Sequence, residues 1–560
     1  MSVGPRLLSN QTSQPLAITG EGLHEDMKLV LGAPLSLELP LTVWDERHAF
    51  ARVPATAVGS ASEVLVEARL SGADGTAPLR FINDTTFVDL TALISARDGK
   101  TLFALSTPTD EVYALEVESG AVARIPTGDG PTALSLWTDA EQHDWLVVAH
   151  RYEPTLLLID PRAPDVRRRV PAVANAEGLL VHGDLAFVAE HARDTVRALQ
   201  LPSGEERWRA EVSLNPRELV VAGDALVVGA LETGALDVLS LADGRVRDSL
   251  EPGPGTPIVG GGTAKYAAQI MNGKAPRGLA WSAKAATLFV ASIGPNIGPN
   301  ADKMEVSMNG GVGAVSLKKG WLRHLGFGAG VTEALALDDA RGLLYASDMG
   351  LGLVRVLDLK KLAGPEAGVK TALVQTLPLR PPAGFPLVRP KEDFDVKGRA
   401  GVSLHTGPRA LALSPDRKTL YVLERFTGTV AALDVAQAGK ATWKAQWKLA
   451  DTLNQRPRRL GQVLYHADLG RTAMSCDACH VEGHSEGVLF EKTMPLRIYR
   501  STTVRGSRET PPFFTPASTF SMGETSKVVG GRNRYHNPDP SPAEIEALTL
   551  YASLIPTLPY

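Results

Sequence analysis

Between residues 91 and 452, apolar positions come in short β-branched and aromatic runs separated by Asp- and Gly-containing turns, and the pattern repeats about every 40 to 50 residues. The repeats can be laid over one another. Each opens on a strand of small apolar residues, as in PTALSL from Pro131, PRELVV from Pro216, PRGLAW from Pro276 and PRALAL from Pro408. A second, more apolar strand follows a turn: TLFAL from Thr101, WLVVA from Trp145, LAFVA from Leu185, LVVGA from Leu226, TLFVA from Thr287, LLYAS from Leu343 and TLYVL from Thr419. Third strands include VYALEVESG from Val112, VRALQLPSG from Val196, ALDVLSLADG from Ala235 and VAALDV from Val430. A period of this length made of short strands predicts the blades of a β-propeller, and the second strands predict about seven of them.

The pattern changes at both ends. Residues 1–90 are β-rich, with LSLELPLTVW from Leu35 and EVLVEARL from Glu63 as strands; they form either a small β domain or extra strands for the ring. Toward the C-terminus, SPAEIEALTLYASLI offers a capping box at Ser541 and Glu544 with proline at the first helical position. Ile545, Leu548, Tyr551 or Ala552, and Ile555 then share one face, which predicts an amphipathic terminal helix. Three Gly/Pro-rich stretches, 251–275, 294–311 and 378–407, interrupt the repeats and read as loops, either blade insertions packing on the propeller face or segments that meet the C-terminal domain or a partner. The expected fold class is mainly β: a β-rich region 1–90, a β-propeller 91–452 and a small α-helical domain 453–560.

One repeat, SPDRKTLYV from Ser414 to Val422, resembles the YVTN-type propellers, whose blades carry S-P-D-x-K-T-L-Y-V. That resemblance implies architecture but no activity, because propellers host many. A net charge of −4 with both signs interspersed leaves no basic stripe for nucleic acid, and no apolar run is long enough to span a bilayer. Two cysteines in 560 residues exclude a disulfide framework.

Those two cysteines stand together. Cys476-Asp477-Ala478-Cys479-His480 is the attachment signature of c-type haem. Two thiols three residues apart on a helical turn reach the two vinyl groups of one porphyrin, and the next imidazole lies under the iron as proximal ligand. The expected cofactor is one covalent haem c on Cys476, Cys479 and His480. Two other chemistries use such residues. A Cys-x-x-Cys redox pair belongs in a βαβ setting, which the surrounding pattern lacks. Structural zinc would take Cys476, Cys479, His480 and His484, but its ligands usually come as pairs on two separated arms.

The flanks add a second resemblance. LGQVLYHADLGRTAMSCDACHVEGHSEG from Leu460 resembles the haem domain of the dihaem cytochrome c peroxidase family, whose pattern runs G-x-x-L-F-x-D-x-x-L-S, S-C-x-x-C-H and D-G. Gly461, Leu464, Tyr465, Asp468, Ser475, Cys476, Cys479, His480 and Gly487 fall on it. YRSTTVRGSRETPPFF from Tyr499 resembles the family's R-x-T-P-S-L-x-G and its following aromatic P-x-F segment. The resemblance implies a cytochrome fold in which the terminal helix crosses the first at a small residue and an aromatic, here Gly461 with Tyr465 and Tyr551. For the distal iron ligand the first candidate is Met522, followed by His536 and Met494; the alternative roles are a core gap-filler for Met522 and a surface side chain for His536. Arg500 and Arg505 are candidates for propionate contacts, a solvated arginine being the alternative for each. Two departures matter: there is no second C-x-x-C-H, and Phe513 and Phe514 are followed by TPAST where the family carries W-D-G. The family's two-haem peroxide chemistry is therefore not expected.

These readings lead to a monohaem c-type cytochrome whose propeller is a docking scaffold for single-electron transfer, with a redox partner protein. A second reading is a haem-dependent, peroxidase-like oxidoreductase with a small-molecule pocket between propeller loops and haem. A third is a surface interaction protein with a metal-binding tail. Haem attachment outside the cytoplasm implies a periplasmic or cell-surface bacterial protein. Met1–Gly20 lacks the apolar stretch of a secretory leader, so an upstream start or a removed leader is expected.

Overall fold

The second strand of each repeat has no polar face because both of its faces are covered. Trp145, Val147 and Ala149 pack with Ala186 and Val188 of the next blade, while Leu146 and Val148 pack with Phe103 and Leu105 of the preceding one. The structure is a computed structural model describing residues 2–10, 14–54, 63–83, 87–173, 175–251, 258–259, 275–297, 306–327, 330–369, 371–383, 385, 406–452, 456–467, 475–483, 489–493, 496–500, 504 and 541–555.

Seven antiparallel sheets form the blades, over 90–126, 131–171, 176–211, 216–250, 278–326, 332–378 and 408–448, each built from four strands in chain order from the axis outward. Inner strands pack against one another around the ring, and Pro408–Leu413 of blade 7 closes it against Leu90–Ser95 of blade 1. All seven second strands fall where the repeat places them. Among the described residues, no strand is exchanged between first and last blades.

Residues 2–82 supply no blade strand. They form a separate eight-stranded sheet in which Leu37–Asp45 pairs with Lys28–Leu31 through its first half and with His48–Val53 through its second. The two halves of this sheet enclose one core, with Leu16, Ile18 and Ala51 from one and Leu29, Val66, Leu79 and Phe81 from the other.

Two sequence expectations are corrected. The stretch 294–311 is not simply a loop: blade 5 extends a hairpin, Thr287–Ile297 paired with Val306–Ser316, and Ile258–Val259 adds a fifth strand parallel to Gly320–Gly326. Glycine and proline hid the strands from a periodicity argument. The terminal helix, Pro542–Ser553, keeps its capping box but is not amphipathic, because Ala547 to Ser553 are all buried. Tyr551 faces the Arg456–His466 helix, while Leu550 and Leu554 pack on Leu7 and Ile82 of the N-terminal sheet, where Arg80 also reaches Glu546 at 3.1 Å. No helix among the described residues is long and apolar enough to cross a membrane.

The Arg456–His466 and Pro542–Ser553 helices cross at Gly461, with the Tyr465 and Tyr551 rings 5.4 Å apart. A Cβ at Gly461 would lie 2.0 Å from the Ala547 carbonyl and 2.8 Å from the Tyr551 Cβ. Gly461→Val is expected to push the helices apart and to cost about 1–3 kcal/mol or more in urea unfolding. A midpoint equal to that of the wild type would show that the crossing is not tight.

Candidate functional site

Cys476–Cys479 forms a single helical turn, and the His480 amide donates to the Cys476 carbonyl at 2.9 Å. Positions three apart on such a turn share a side of it. The backbone then reverses through Glu482, at φ 48°, with the Gly483 amide donating to the His480 carbonyl at 2.8 Å. Tyr465 fixes this reversal by donating its hydroxyl to the same carbonyl at 2.7 Å. The Cys476 thiol is free and half-buried. Burial, followed by the charge of Asp477, pushes it up to about 12, so it is a neutral thiol and not the thiolate that dithiol exchange requires.

The turn is tied to the propeller by charge. Arg277 donates to the Asp477 carboxylate at 2.6 Å and to the Asp477 carbonyl at 2.8 Å, and it also pairs with Glu333. Glu333 takes Arg409 at 2.5 Å. On the other side of the turn, Glu482 receives Arg425 at 2.6 and 3.1 Å, and Arg425 grips Asp89 in a fork at 2.6 and 2.7 Å. The Glu482 amide donates to Asp477 at 2.8 Å, joining the two arms. Gln462 donates to Asp89 at 2.8 Å, and Arg459 donates to the Arg425 and Val88 carbonyls. Since Asp89 precedes blade 1 and Arg425 belongs to blade 7, the same network clasps the seam of the ring.

Burial is the largest influence on each of these groups, and for the carboxylates it acts to raise the pKa. Arg425 overcomes it at Asp89, which is held down to about 2, while Arg277 and then His466 keep Asp477 well below the usual carboxylate range. Arg425 and Arg409 do the same for Glu482. Burial also lowers Arg459, to about 10, despite its proximity to Asp89.

His466, Asp477 and Glu482 bring potential metal-ligand atoms within 4.8 Å of one another. Their capacity is already engaged: His466 faces Asp477 at 3.3 Å and the Tyr551 hydroxyl at 3.0 Å, and the two carboxylates face arginines. The cluster is an ion-pair network. Apolar contacts complete the docking. Val481 sits between Leu231 and Ala275 of the propeller, and Phe87, Val331, Met349 and Phe426 pack against Val463, Tyr465 and Leu548.

The predicted site residues separate into two sets. Cys476, Cys479 and His480 come together on one turn. The side chains of Cys479 and Arg500 lie outside the described residues, as do Arg505, Met522, His536, Met494 and His484 altogether; the Arg500 backbone ends the strand Leu496–Arg500. A pair of thiol positions one turn apart, followed by imidazole, fits the donor set of a covalently tethered porphyrin. Sequence reasoning missed Arg277, Arg409 and Arg425. For the first two a signal existed, the recurring Pro-Arg at Pro216, Pro276 and Pro408, which had been read only as the opening of a strand.

No family model and no curated protein matches the chain. Among solved structures, it is similar to hydrazine synthase of Kuenenia stuttgartiensis (TM-score 0.48, 16% identity, covering 64% of this chain and 98% of that one). It is also similar to virginiamycin B lyase of Staphylococcus aureus (TM-score 0.39, 9% identity, 61% and 94% covered).

Proposed function

We propose that this chain is a monohaem c-type cytochrome in which a β-propeller scaffolds a C-terminal cytochrome domain for single-electron transfer to a redox partner protein. The supporting observation is one helical turn carrying Cys476, Cys479 and His480 in attachment order, held on the propeller by Arg277 and Arg425. In this reading Cys476 and Cys479 supply the two thioether links and His480 the proximal imidazole. Met522 is the first candidate for the distal position, then His536, and Arg500 and Arg505 are candidates for the propionates. When bound, the haem supplies a one-electron couple. The protein's own residues fix its place: Tyr465 holds the His480 carbonyl, and Asp477 and Glu482 anchor the turn on both sides. Such a protein belongs in the periplasm or at the cell surface of a bacterium.

The test is an optical spectrum and a haem-stained denaturing gel of chain produced with haem-maturation machinery. A sharp reduced α-band at about 550 nm and a stain that survives denaturation are expected. Colourless, fully exported protein with two free thiols would overturn the reading. A second reading is a haem-dependent, peroxidase-like oxidoreductase with an open iron site between propeller loops and haem. Ready carbon monoxide binding by the ferrous protein, together with peroxide turnover, would decide in its favour.

A further inference from the structure

A cavity lies where the terminal helix and residues around Arg458 cover the loops of blades 1, 2, 3, 4 and 7. Its volume of about 310 Å³ is that of roughly ten water molecules, at the small end of ligand pockets. Its walls differ in chemistry. Phe87, Pro108, Tyr152, Tyr551, Leu554 and Ile555 make an apolar roof and side.

Most of the charges in the remaining lining cancel within the protein. Arg151 pairs with Glu177 at 2.7 Å, Arg409 with Glu333 at 2.5 Å, and Arg425 with Asp89 and Glu482. Arg458 stacks over the Phe87 ring at 3.9 Å. Two sets remain. On the blade 1 and 2 side, Asp110 and Asp129 line the cavity with no ion-pair partner among the described residues; Asp110 accepts only the Gly130 amide, at 2.8 Å. Burial raises the Asp110 pKa, the Gly130 amide opposes the rise, and the nearby Asp129 adds to it.

On the opposite side stands Arg217, at the start of the inner strand of blade 4. Its nearest carboxylate is that of Glu218, 3.7 Å away and beyond hydrogen-bond reach. Burial pushes the Glu218 carboxyl upward, opposed by Arg217, Arg409 and Arg277. In a ring of seven, blade 4 stands across the axis from blade 1. The negative and positive residues therefore line opposite sides of the cavity.

We propose that this cavity binds a short zwitterion of dipeptide size, with its ammonium on Asp110 and Asp129, its carboxylate on Arg217, and its apolar body under Tyr551, Leu554 and Ile555. A lone amine or a lone carboxylate would leave one side unmatched. The site uses no residue of the Cys476–His480 turn, so it stands or falls apart from the haem reading.

The test is calorimetric titration of the purified full chain with L-alanyl-L-leucine, its N-acetyl derivative and its C-terminal amide. The free dipeptide is expected to bind, and each blocked form to bind at least about tenfold more weakly, the loss of one charge-assisted contact. Arg217→Met is expected to weaken the free dipeptide and the N-acetyl form while leaving the amide unchanged; Asp129→Asn should do the reverse. Both side chains lie outside the docking network, and a wild-type circular dichroism spectrum confirms that each variant is folded. Equal binding of the amide and the free dipeptide would reduce the site to a cation pocket and overturn the proposal. So would no heat at millimolar dipeptide, or an Arg217→Met affinity equal to that of the wild type.

Discussion

Chain carrying both Cys476→Ala and Cys479→Ala is expected to leave haem-maturing cells without any haem that survives a denaturing gel, while keeping the strand signal of its propeller. Covalent attachment depends on the two sulfurs, and the chain contains no others in cysteine. The core of the ring does not: its blades are filled by clusters such as Val147, Leu158 and Val188, none of which touches the motif. Each single variant should retain one thioether and a weaker, shifted stain. His480→Ala should retain covalent haem but lose the spectrum of a six-coordinate ferrous cytochrome. If the double variant stains as strongly as wild type, attachment lies elsewhere and the cytochrome reading fails.

Arg277→Met is expected to have the largest effect on stability. Arg277 is buried, with 2% of its side chain exposed, and it serves Glu333 and Asp477 together. Removing it leaves carboxylates in a dry interface with part of their compensation gone, which typically costs about 3–5 kcal/mol. The loss should fall on docking: proteases should release the C-terminal segment while the ring stays intact. Adding Asp477→Asn, which keeps the Cys-x-x-Cys-His spacing, removes one stranded charge and should restore part of the loss. A urea midpoint for Arg277→Met within error of the wild type would show that the network does not hold the segment.

The same network should be acid-labile. Asp89, held down to about 2 against an ordinary value of 3.8, contributes stability that is present above 3.8 and is lost as pH falls through 2. The contribution is on the order of 2 kcal/mol. Acidification through that range should therefore loosen the Asp89–Arg425 clasp at the ring seam, read as a falling urea midpoint.

The repeat placed the blades because a strand covered on both faces must be apolar throughout, and that requirement is local. Seven such runs, each closed by Asp- or Gly-containing turns, were legible one at a time; the outer strands were less so, because edge strands such as Val246–Leu250 are largely exposed and need little hydrophobic signal. The Ser541 cap was equally local, whereas the close approach of Gly461 to Ala547 joins distant segments and was expected only from the resemblance. The chemistry of the attachment motif follows from five consecutive residues.

What the chain could not disclose by itself was which residues meet across long separations. Arg277 and Asp477 are 200 positions apart, and Asp89 and Arg425 are 336 apart. An arginine after proline in a repeat looks like any solvated cation until the fold places a carboxylate against it and removes the water. The terminal helix was misjudged for the same reason: its second face looked like a solvent face, and the N-terminal sheet covers it. Local pattern determines which segments become strands and helices because backbone hydrogen bonding and burial on one element are short-range. Only the tertiary structure decides whether a charge is in water or in an ion pair, since its solvation depends on every element packed around it.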